Sequence, residues 1–199
     1  MSYHPNPAPL VLASASPYRR ELLARLRLPF VWQSPEIDES PAPGEQPAAL
    51  VVRLAEHKAR AVATRHPASI IIGSDQVAVL TNDEILTKPG ILANARKQLA
   101  KLSGREVVFH TGLCVFNAAS DSIQTGCIPV AVKFRKLEPG EIDNYLDQEQ
   151  PFDCAGSFKS EGLGISLLES ISGSDPTALI GLPLIRLSEM LRLEGINLP

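Results

Sequence analysis

The order of the predicted strands and helices is the feature that most constrains the fold. Three short apolar runs predict buried strands: "PLVLAS" (9–14), "FVWQS" (30–34) and "SIIIGSDQVAVL" (69–80), the last of them interrupted at Gly73. Each of the first two runs is followed, directly or after a proline-rich loop, by a segment whose apolar residues recur at helical spacing. This arrangement favours strands that lie side by side with helices packed against them.

The second half of the chain adds a hairpin and further helices. Two long apolar stretches meet at a turn near Ser120 and Asp121, which predicts a pair of antiparallel strands. A shorter strand is predicted over 164–169. The predicted helices cover 17–27, 48–66, 91–104, 138–150 and 181–195. Strands that alternate with helices, together with one hairpin, predict an α/β fold with a mixed sheet.

Composition excludes several classes of protein. The 199 residues suit one domain over 1–199, and a net charge of −3 argues against a general nucleic-acid binder. The three cysteines are widely spaced and odd in number, which favours a reducing compartment over a disulfide framework or a zinc site. No apolar run reaches the roughly 18 residues of a membrane span, and the start "MSYHPNPAPL" lacks the features of a signal peptide. We therefore expect a cytoplasmic protein.

The stretch "LASASPYRRELL" (12–23) predicts an anion site at a helix N-terminus. Ser16 is placed to cap the helix, whose free backbone N–H groups and positive dipole end attract anions. Ser14 adds a hydroxyl, and Arg19 and Arg20 add guanidinium groups that suit phosphate oxygens. The alternative is a capped helix with two solvated arginines.

Acidic and basic residues elsewhere in the sequence are further candidates for a phosphate or metal site. Asp75 ends a very apolar run in "GSDQ", where it could be a general base, a metal ligand or a turn residue. Lys58 lies in a predicted helix and Lys88 precedes a proline; both could instead be solvated. Glu39 belongs to an acidic loop of the kind that hard divalent cations need. Together these residues indicate nucleotide or polyphosphate chemistry.

A later segment, "AGSFKSEG" (155–162), is predicted to be a flexible Gly/Ser loop. It holds Phe158, Lys159 and Glu161. Such a loop could wrap a ligand, or it could only turn the chain.

Several motifs together resemble the Maf family of nucleotide pyrophosphatases. They are "LASASPYRRELL", "IDE", "VVRLAEHKA", "IIGSDQ", "TKP", "KLSG", "FR", "CAGSFKSEG" and "GLPL", and they follow the family's order over nearly the whole chain. The resemblance implies an elongated mixed sheet with flanking helices and a cleft between two lobes. It also implies hydrolysis of a nucleoside triphosphate to the monophosphate and pyrophosphate with a divalent metal cation, for which the sequence does not distinguish Mg²⁺, Mn²⁺ and Co²⁺. The expected partner is a small nucleotide, with neither nucleic acid nor membrane, and the family suggests a homodimer.

Carried over from the family, the phosphate-binding motif falls on Ser14, Ser16 and Arg19, with Arg20 at a position that varies. The acid of the "DE" loop falls on Glu39 and the proposed catalytic aspartate on Asp75, which we assign as metal ligands. The resemblance also gives Asp75 a catalytic role, either as the base for the attacking water or through the metal. The catalytic set is completed by Arg19, Lys58 and Lys88, which would offset the charge of the triphosphate.

Three further positions resemble the branch of the family that prefers 7-methyl-GTP: Tyr18, Gln76 and Glu161. An aromatic ring, from Tyr18 or Phe158, could stack on the cationic 7-methylguanine. Glu161 could accept hydrogen bonds from its Watson–Crick edge; alternatively, it pairs with Lys159 or an arginine. Two other functions remain open within the resemblance: a dTTP/UTP pyrophosphatase, and a nucleotide-binding regulator of cell division and septum formation.

Overall fold

The computed structural model describes residues 8–80 and 84–199. Residues 1–7 and 81–83 lie outside this part. The strands are β1 Leu10–Ala13, β2 Phe30–Gln33, β3 Ile70–Leu80, β4 Ile85–Leu86, β5 Glu106–Asn117, β6 Ser122–Phe134 and β7 Leu168–Gly173. The helices are α1 Pro17–Ala24, α2 Pro47–Ala63, α3 Leu92–Leu102, α4 Pro139–Glu149 and α5 Leu184–Leu193. The predicted α/β class with a mixed sheet is confirmed.

The strands form one seven-stranded sheet in the order β2-β1-β3-β5-β6-β7, with β4 paired to β3 outside this path. β1 is parallel to both β2 and β3, and the remaining pairs are antiparallel. The predicted hairpin is confirmed as β5 and β6, whose turn contains Asp121 in the left-handed region at φ 56°. The carboxyl ends of the parallel strands β1 and β2 therefore meet at one edge, where α/β sheets commonly bind ligands.

The two faces of the sheet carry cores of different size. On one face, large apolar side chains of the sheet pack with residues of α1, α3, α4 and α5. On the other face, a smaller cluster joins the sheet to α2, and its small members are Ala13 and Cys114 of the sheet and Ala55 and Ala59 of α2. Small residues on both surfaces let α2 lie unusually close to the sheet.

Two glycines make this close approach possible. A Cβ built on Gly73 of β3 would lie 2.0 Å from the Ala55 carbonyl oxygen, and one on Gly112 of β5 would lie 2.0 Å from the Val51 carbonyl oxygen. Because no real Cβ comes that close, these positions must be glycine for α2 to pack where it does. Gly112 is also the register partner of Asp75. The same contact therefore fixes the distance between α2 and the strand that carries Asp75.

Two predictions about strands are wrong. Gly73 does not interrupt β3, because it is paired with Ala13 on one side and Cys114 on the other. The strand predicted over 164–169 instead begins at Leu168, and Leu163–Leu167 form a 3₁₀ turn. β7 pairs with β6, which ends at Phe134 opposite Leu168, so earlier residues have no strand to pair with.

No helix in the described ranges combines the length and the apolar character needed to cross a membrane.

Candidate active site

A cleft of about 320 Å³ opens beyond the carboxyl ends of β1 and β2. This volume is within the range of small-molecule sites. Its wall includes the β1–α1 joint, the segment after β2, part of α2, the segment 153–161 and the turn 179–181. The segments that carry most of the sequence-predicted site residues therefore meet around one cavity.

Lys58 is the central cation of this site. It lies on the buried face of α2, and its side chain is only 7% exposed. Its Nζ donates to Asp75 Oδ1 at 2.5 Å and lies 2.7 Å from Glu39 Oε1. The alternative that Lys58 points into solvent is wrong, because helical spacing places it in line with the apolar residues Leu54 and Val62.

Asp75 and Glu39 differ in their exposure. Asp75 is buried, with a side chain 11% exposed, whereas the Glu39 side chain is 60% exposed and lines the cleft. Burial opposes ionisation of Glu39, but the ammonium of Lys58, with Lys88 and Arg19 further off, outweighs it and lowers the pKa of the carboxyl. Lys58 therefore joins a carboxylate at the sheet to one at the cleft surface.

Arg19 is held by a backbone carbonyl. Its Nε donates to Gly181 O at 2.9 Å, an oxygen that also lies 2.9 Å from Ser74 Oγ. This bond engages only one of the guanidinium donors, and Arg19 lines the cleft. Burial lowers the pKa of Arg19, while the carboxylates of Asp75 and Glu39 act against this effect.

The hydroxyls of the β1–α1 joint organise the helix N-terminus. Ser16 caps α1, and its Oγ accepts from the backbone N–H of Arg19 at 3.4 Å. The buried Ser14 Oγ accepts from the backbone N–H of Ser16 at 3.1 Å. Both serines line the cleft, so the start of α1 faces the cavity as the sequence predicts.

Lys88 lines the cleft, whereas Arg20 does not. Lys88 is exposed and lines the cleft, and it forms no ion pair with any residue in the described ranges. Arg20 is not among the residues lining the cleft; its guanidinium lies 4.8 Å from the centre of the Trp32 ring. Arg20 is thus not brought together with the other predicted phosphate ligands, because one step along a helix turns a side chain by about 100°.

A second group of residues in the cleft surrounds Tyr18. The Tyr18 hydroxyl donates to Asp153 Oδ1 at 3.4 Å and lies 4.0 Å from Cys154 Sγ. Burial, followed by the nearby Cys154 and Asp153, raises the pKa of Tyr18, so the phenol stays neutral and remains a donor. Burial, followed by the charge of Asp153, raises the pKa of Cys154 to about 12.

Gln76 presents a defined orientation to the cleft. Its Nε2 donates to Ala178 O at 2.8 Å and lies 2.9 Å from Thr111 Oγ1 and 3.1 Å from Leu179 O. These contacts occupy the amide donors, and the carbonyl oxygen is left as the acceptor of this side chain. The cleft therefore meets a hydrogen-bond acceptor at Gln76.

Glu161 lies at the cleft surface without an ionic partner in the described part of the chain. Its one hydrogen bond among those residues comes from Ser160 Oγ at 3.3 Å. The alternative that Lys159 pairs with it is wrong, because Lys159 Nζ lies 2.8 Å from Glu149 Oε1 instead.

The segment that carries Glu161 is anchored, contrary to the prediction of a flexible loop. The Phe158 ring is buried and packs edge-on against Phe134, with ring centres 5.3 Å apart. Ser157 Oγ donates to Gln98. Phe158 is thus a core residue with too little exposed face to stack on a base, which leaves Tyr18 as the aromatic candidate.

Glu39 and Asp75 are the candidate ligands for a divalent cation in this site. Among the described residues no group of three or more His, Cys, Asp or Glu side chains is arranged to hold a metal ion. Glu39 and Asp75 each direct one oxygen at Lys58, so each retains a second carboxylate oxygen. Two carboxylates suit a hard cation such as Mg²⁺, which is commonly bound by one or two carboxylates together with substrate phosphates.

Sequence reasoning did not find three contributors to the site. Asp153 immediately precedes the quoted motif "CAGSFKSEG" and Cys154 is its first residue, but neither was assigned a role in the site. The Gly181 carbonyl that holds Arg19 is a backbone group with no side-chain signal. Asp175 acts behind it: it accepts from Thr177 N at 2.9 Å and Ile185 N at 2.8 Å and so fixes the turn that carries Gly181.

Comparison with known proteins shows the family to which the chain belongs. The model of a family described as Maf-like protein matches residues 9–194. The chain belongs to the Maf family. It is 58% identical to the 7-methyl-GTP pyrophosphatase of Pseudomonas fluorescens over 191 residues, which cover 96% of this chain and 99% of that protein. It is 56% identical to the 7-methyl-GTP pyrophosphatases of Aromatoleum aromaticum over 190 residues (96% and 97%) and of Nitrosococcus oceani over 193 residues (96% of each).

Proposed function

We propose that this Maf protein hydrolyses 7-methyl-GTP to 7-methyl-GMP and pyrophosphate, and so removes a modified nucleotide from the pool. The observation that carries the proposal is one cleft that combines three cationic side chains with an acceptor and a carboxylate, Gln76 and Glu161. Relatives of nearly equal length that are 56–58% identical bear the name 7-methyl-GTP pyrophosphatase. The reaction belongs in the cytoplasm, with the nucleotide rather than nucleic acid or a membrane as partner, and we expect a homodimer.

Arg19, Lys58 and Lys88 bind the triphosphate in this proposal. A triphosphate carries about four negative charges, and water does not attack phosphorus readily until that charge is offset. Ser14, Ser16 and the start of α1 add hydroxyl and backbone donors to the phosphate oxygens. The bond from Arg19 Nε to Gly181 O pre-orients the guanidinium, so less conformational entropy is lost when the substrate binds.

Asp75 activates the attacking water in this proposal. A carboxylate can accept the proton of a water molecule that attacks the phosphorus next to the ribose. The bond from Lys58 Nζ orients Asp75 and brings the ammonium close to the same phosphate. Glu39 and Asp75 are the residues that would hold a divalent cation, which when bound withdraws charge from phosphate oxygens.

Tyr18, Gln76 and Glu161 select the base. The Lys159 ammonium already lies 5.7 Å from the centre of the Tyr18 ring, so a cationic 7-methylguanine would stack on the opposite face of that ring. The carbonyl oxygen of Gln76 and the carboxylate of Glu161 are acceptors, which suit the N1–H and N2–H₂ donors of guanine. Uracil and thymine present only one donor on that edge, so one of the two acceptors would be left without a partner once the bound base excludes water from it. A second carboxylate, Asp153, adds negative charge beside Tyr18 and favours a cationic base.

Pyrophosphate release from 7-methyl-GTP, GTP, dTTP, UTP, CTP and ATP, with and without a divalent cation, tests the substrate. We expect metal-dependent turnover with the highest kcat/KM for 7-methyl-GTP. Glu161→Gln should lower the ratio of kcat/KM for 7-methyl-GTP to that for UTP about tenfold or more, because it removes the charge and one acceptor. The exposed Glu169→Gln is the matched control and should leave the ratio unchanged.

A wild-type preference for dTTP or UTP would keep the chemistry and contradict the assignment of Gln76 and Glu161. Tight nucleotide binding without turnover would instead favour a regulatory function.

A further inference from the structure

Lys159 is the cation closest in sequence to Glu161, yet its ammonium is bound elsewhere. Its Nζ lies 2.8 Å from Glu149 Oε1, at the end of α4. The Lys159 side chain is 26% exposed and that of Glu149 only 11% exposed, so this pair is partly shielded from water, about as well as the Arg53–Glu45 pair.

Glu149 also binds the backbone on the C-terminal side of Glu161. Its Oε2 accepts from the backbone N–H of Leu163 at 2.7 Å. On the near side, the backbone N–H of Lys159 donates to the Tyr145 hydroxyl at 3.1 Å. One carboxylate of α4 therefore contacts the chain two residues before and two residues after Glu161.

Without the contact to Glu149, the next carboxylate that acts on Lys159 is Glu161. The pKa of Lys159 is raised chiefly by the hydrogen bond to Glu149, and the charge of Glu161 adds to the effect, so the two side chains are within electrostatic range. A carboxylate paired with a lysine has fewer free acceptor sites and no net charge to offer a cationic base.

We propose that Glu149 is a positioning residue for substrate selection: it sequesters Lys159 and thereby leaves the Glu161 carboxylate open to the base. This inference rests on the proposed function, in which Glu161 reads the guanine edge. It assigns to α4, outside the cleft, a part in the choice of substrate.

The test compares kcat/KM for 7-methyl-GTP and GTP in the wild type and three variants. Glu149→Gln retains an oxygen for the Leu163 N–H but no longer binds the ammonium of Lys159 as a charged pair. We expect it to lower the 7-methyl-GTP to GTP ratio about fivefold to tenfold, since Lys159 can then pair with Glu161 and offset the negative charge that favours the cationic 7-methylguanine over neutral guanine. The Watson–Crick donors of the two bases are the same. The double variant Glu149→Gln/Lys159→Met should return the ratio to within about twofold of the wild type, because the competing cation is gone.

Lys159→Met alone gives an independent readout if the Glu149 variants fold poorly. It should keep the wild-type ratio within about twofold. A double variant that stays as low as Glu149→Gln, a ratio unchanged in Glu149→Gln, or a fall in Lys159→Met would overturn the inference. A wild type that does not prefer 7-methyl-GTP to GTP would instead show that the proposed function itself is wrong.

Discussion

Gly112→Ala tests whether the approach of α2 to the sheet positions Lys58. The new Cβ would lie 2.0 Å from the Val51 carbonyl oxygen and 2.3 Å from the Val51 carbonyl carbon, whereas real Cβ atoms stay at least 3.0 Å away. α2 or β5 must therefore move by about 1 Å. The obstructing atoms are backbone, so no side chain can rotate out of the way.

The displacement has two consequences of known size. Overpacking a core costs typically 1–3 kcal/mol, and a backbone clash belongs at the upper end, about 3 kcal/mol. For a protein of this length that lowers Tm by roughly 6–12 °C. A 1 Å error in the position of a catalytic group can cost about 100-fold in rate, and Lys58 lies two helical turns from Val51 on the same buried face.

The assay measures Tm by circular dichroism and pyrophosphate release at 25 °C on folded protein. Gly140→Ala is the matched control, because its Cβ would meet nothing within 4 Å and its φ is ordinary. We expect the control to match the wild type in activity. A Gly112→Ala protein with wild-type Tm and wild-type turnover would refute the packing argument.

Three further measurements probe the site. Lys58→Met should lower kcat about 100-fold or more, because the ammonium that joins Asp75 to the cleft is lost; near-normal turnover would contradict its central role. Cys154, whose pKa is raised to about 12, should react with iodoacetamide at pH 8 at least about 100-fold more slowly than a free thiol, as followed by mass spectrometry, and rapid labelling would contradict this. Asp175→Asn should cost about 1–3 kcal/mol of unfolding free energy in urea, because an amide in place of Oδ2 would face the Ile185 N–H; an unchanged midpoint would count against this account.

The order of elements and the capped start of α1 were predictable from local signals. Apolar runs bounded by turn residues located the strands, and a serine before a proline located the start of α1. These features depend on residues near one another in sequence. The burial of Lys58 could also be inferred from the sequence, because its position continues the apolar stripe of α2. Lysines on helices are usually solvated, however, so this signal was weak.

The parts that sequence did not reveal depend on long-range contacts. The predicted interruption at Gly73 is wrong because this glycine allows α2, which lies about 18 residues earlier in the chain, to pack against the sheet. It does not form a turn. The freedom of Glu161 depends on Glu149, and the orientation of Arg19 depends on a carbonyl 162 residues away. Such pairings follow from the three-dimensional packing of the sheet and its helices, which no local pattern encodes.

The most direct test of the account follows the products of 7-methyl-GTP with the wild type, Asp75→Asn and the exposed Asp147→Asn, side by side, by chromatography and a pyrophosphate assay. We expect equimolar 7-methyl-GMP and pyrophosphate from the wild type and from Asp147→Asn. Asp75→Asn should be slower by about 100-fold to 10,000-fold, the range for loss of a general base. Release of 7-methyl-GDP and phosphate, or full activity of Asp75→Asn, would contradict the central claim.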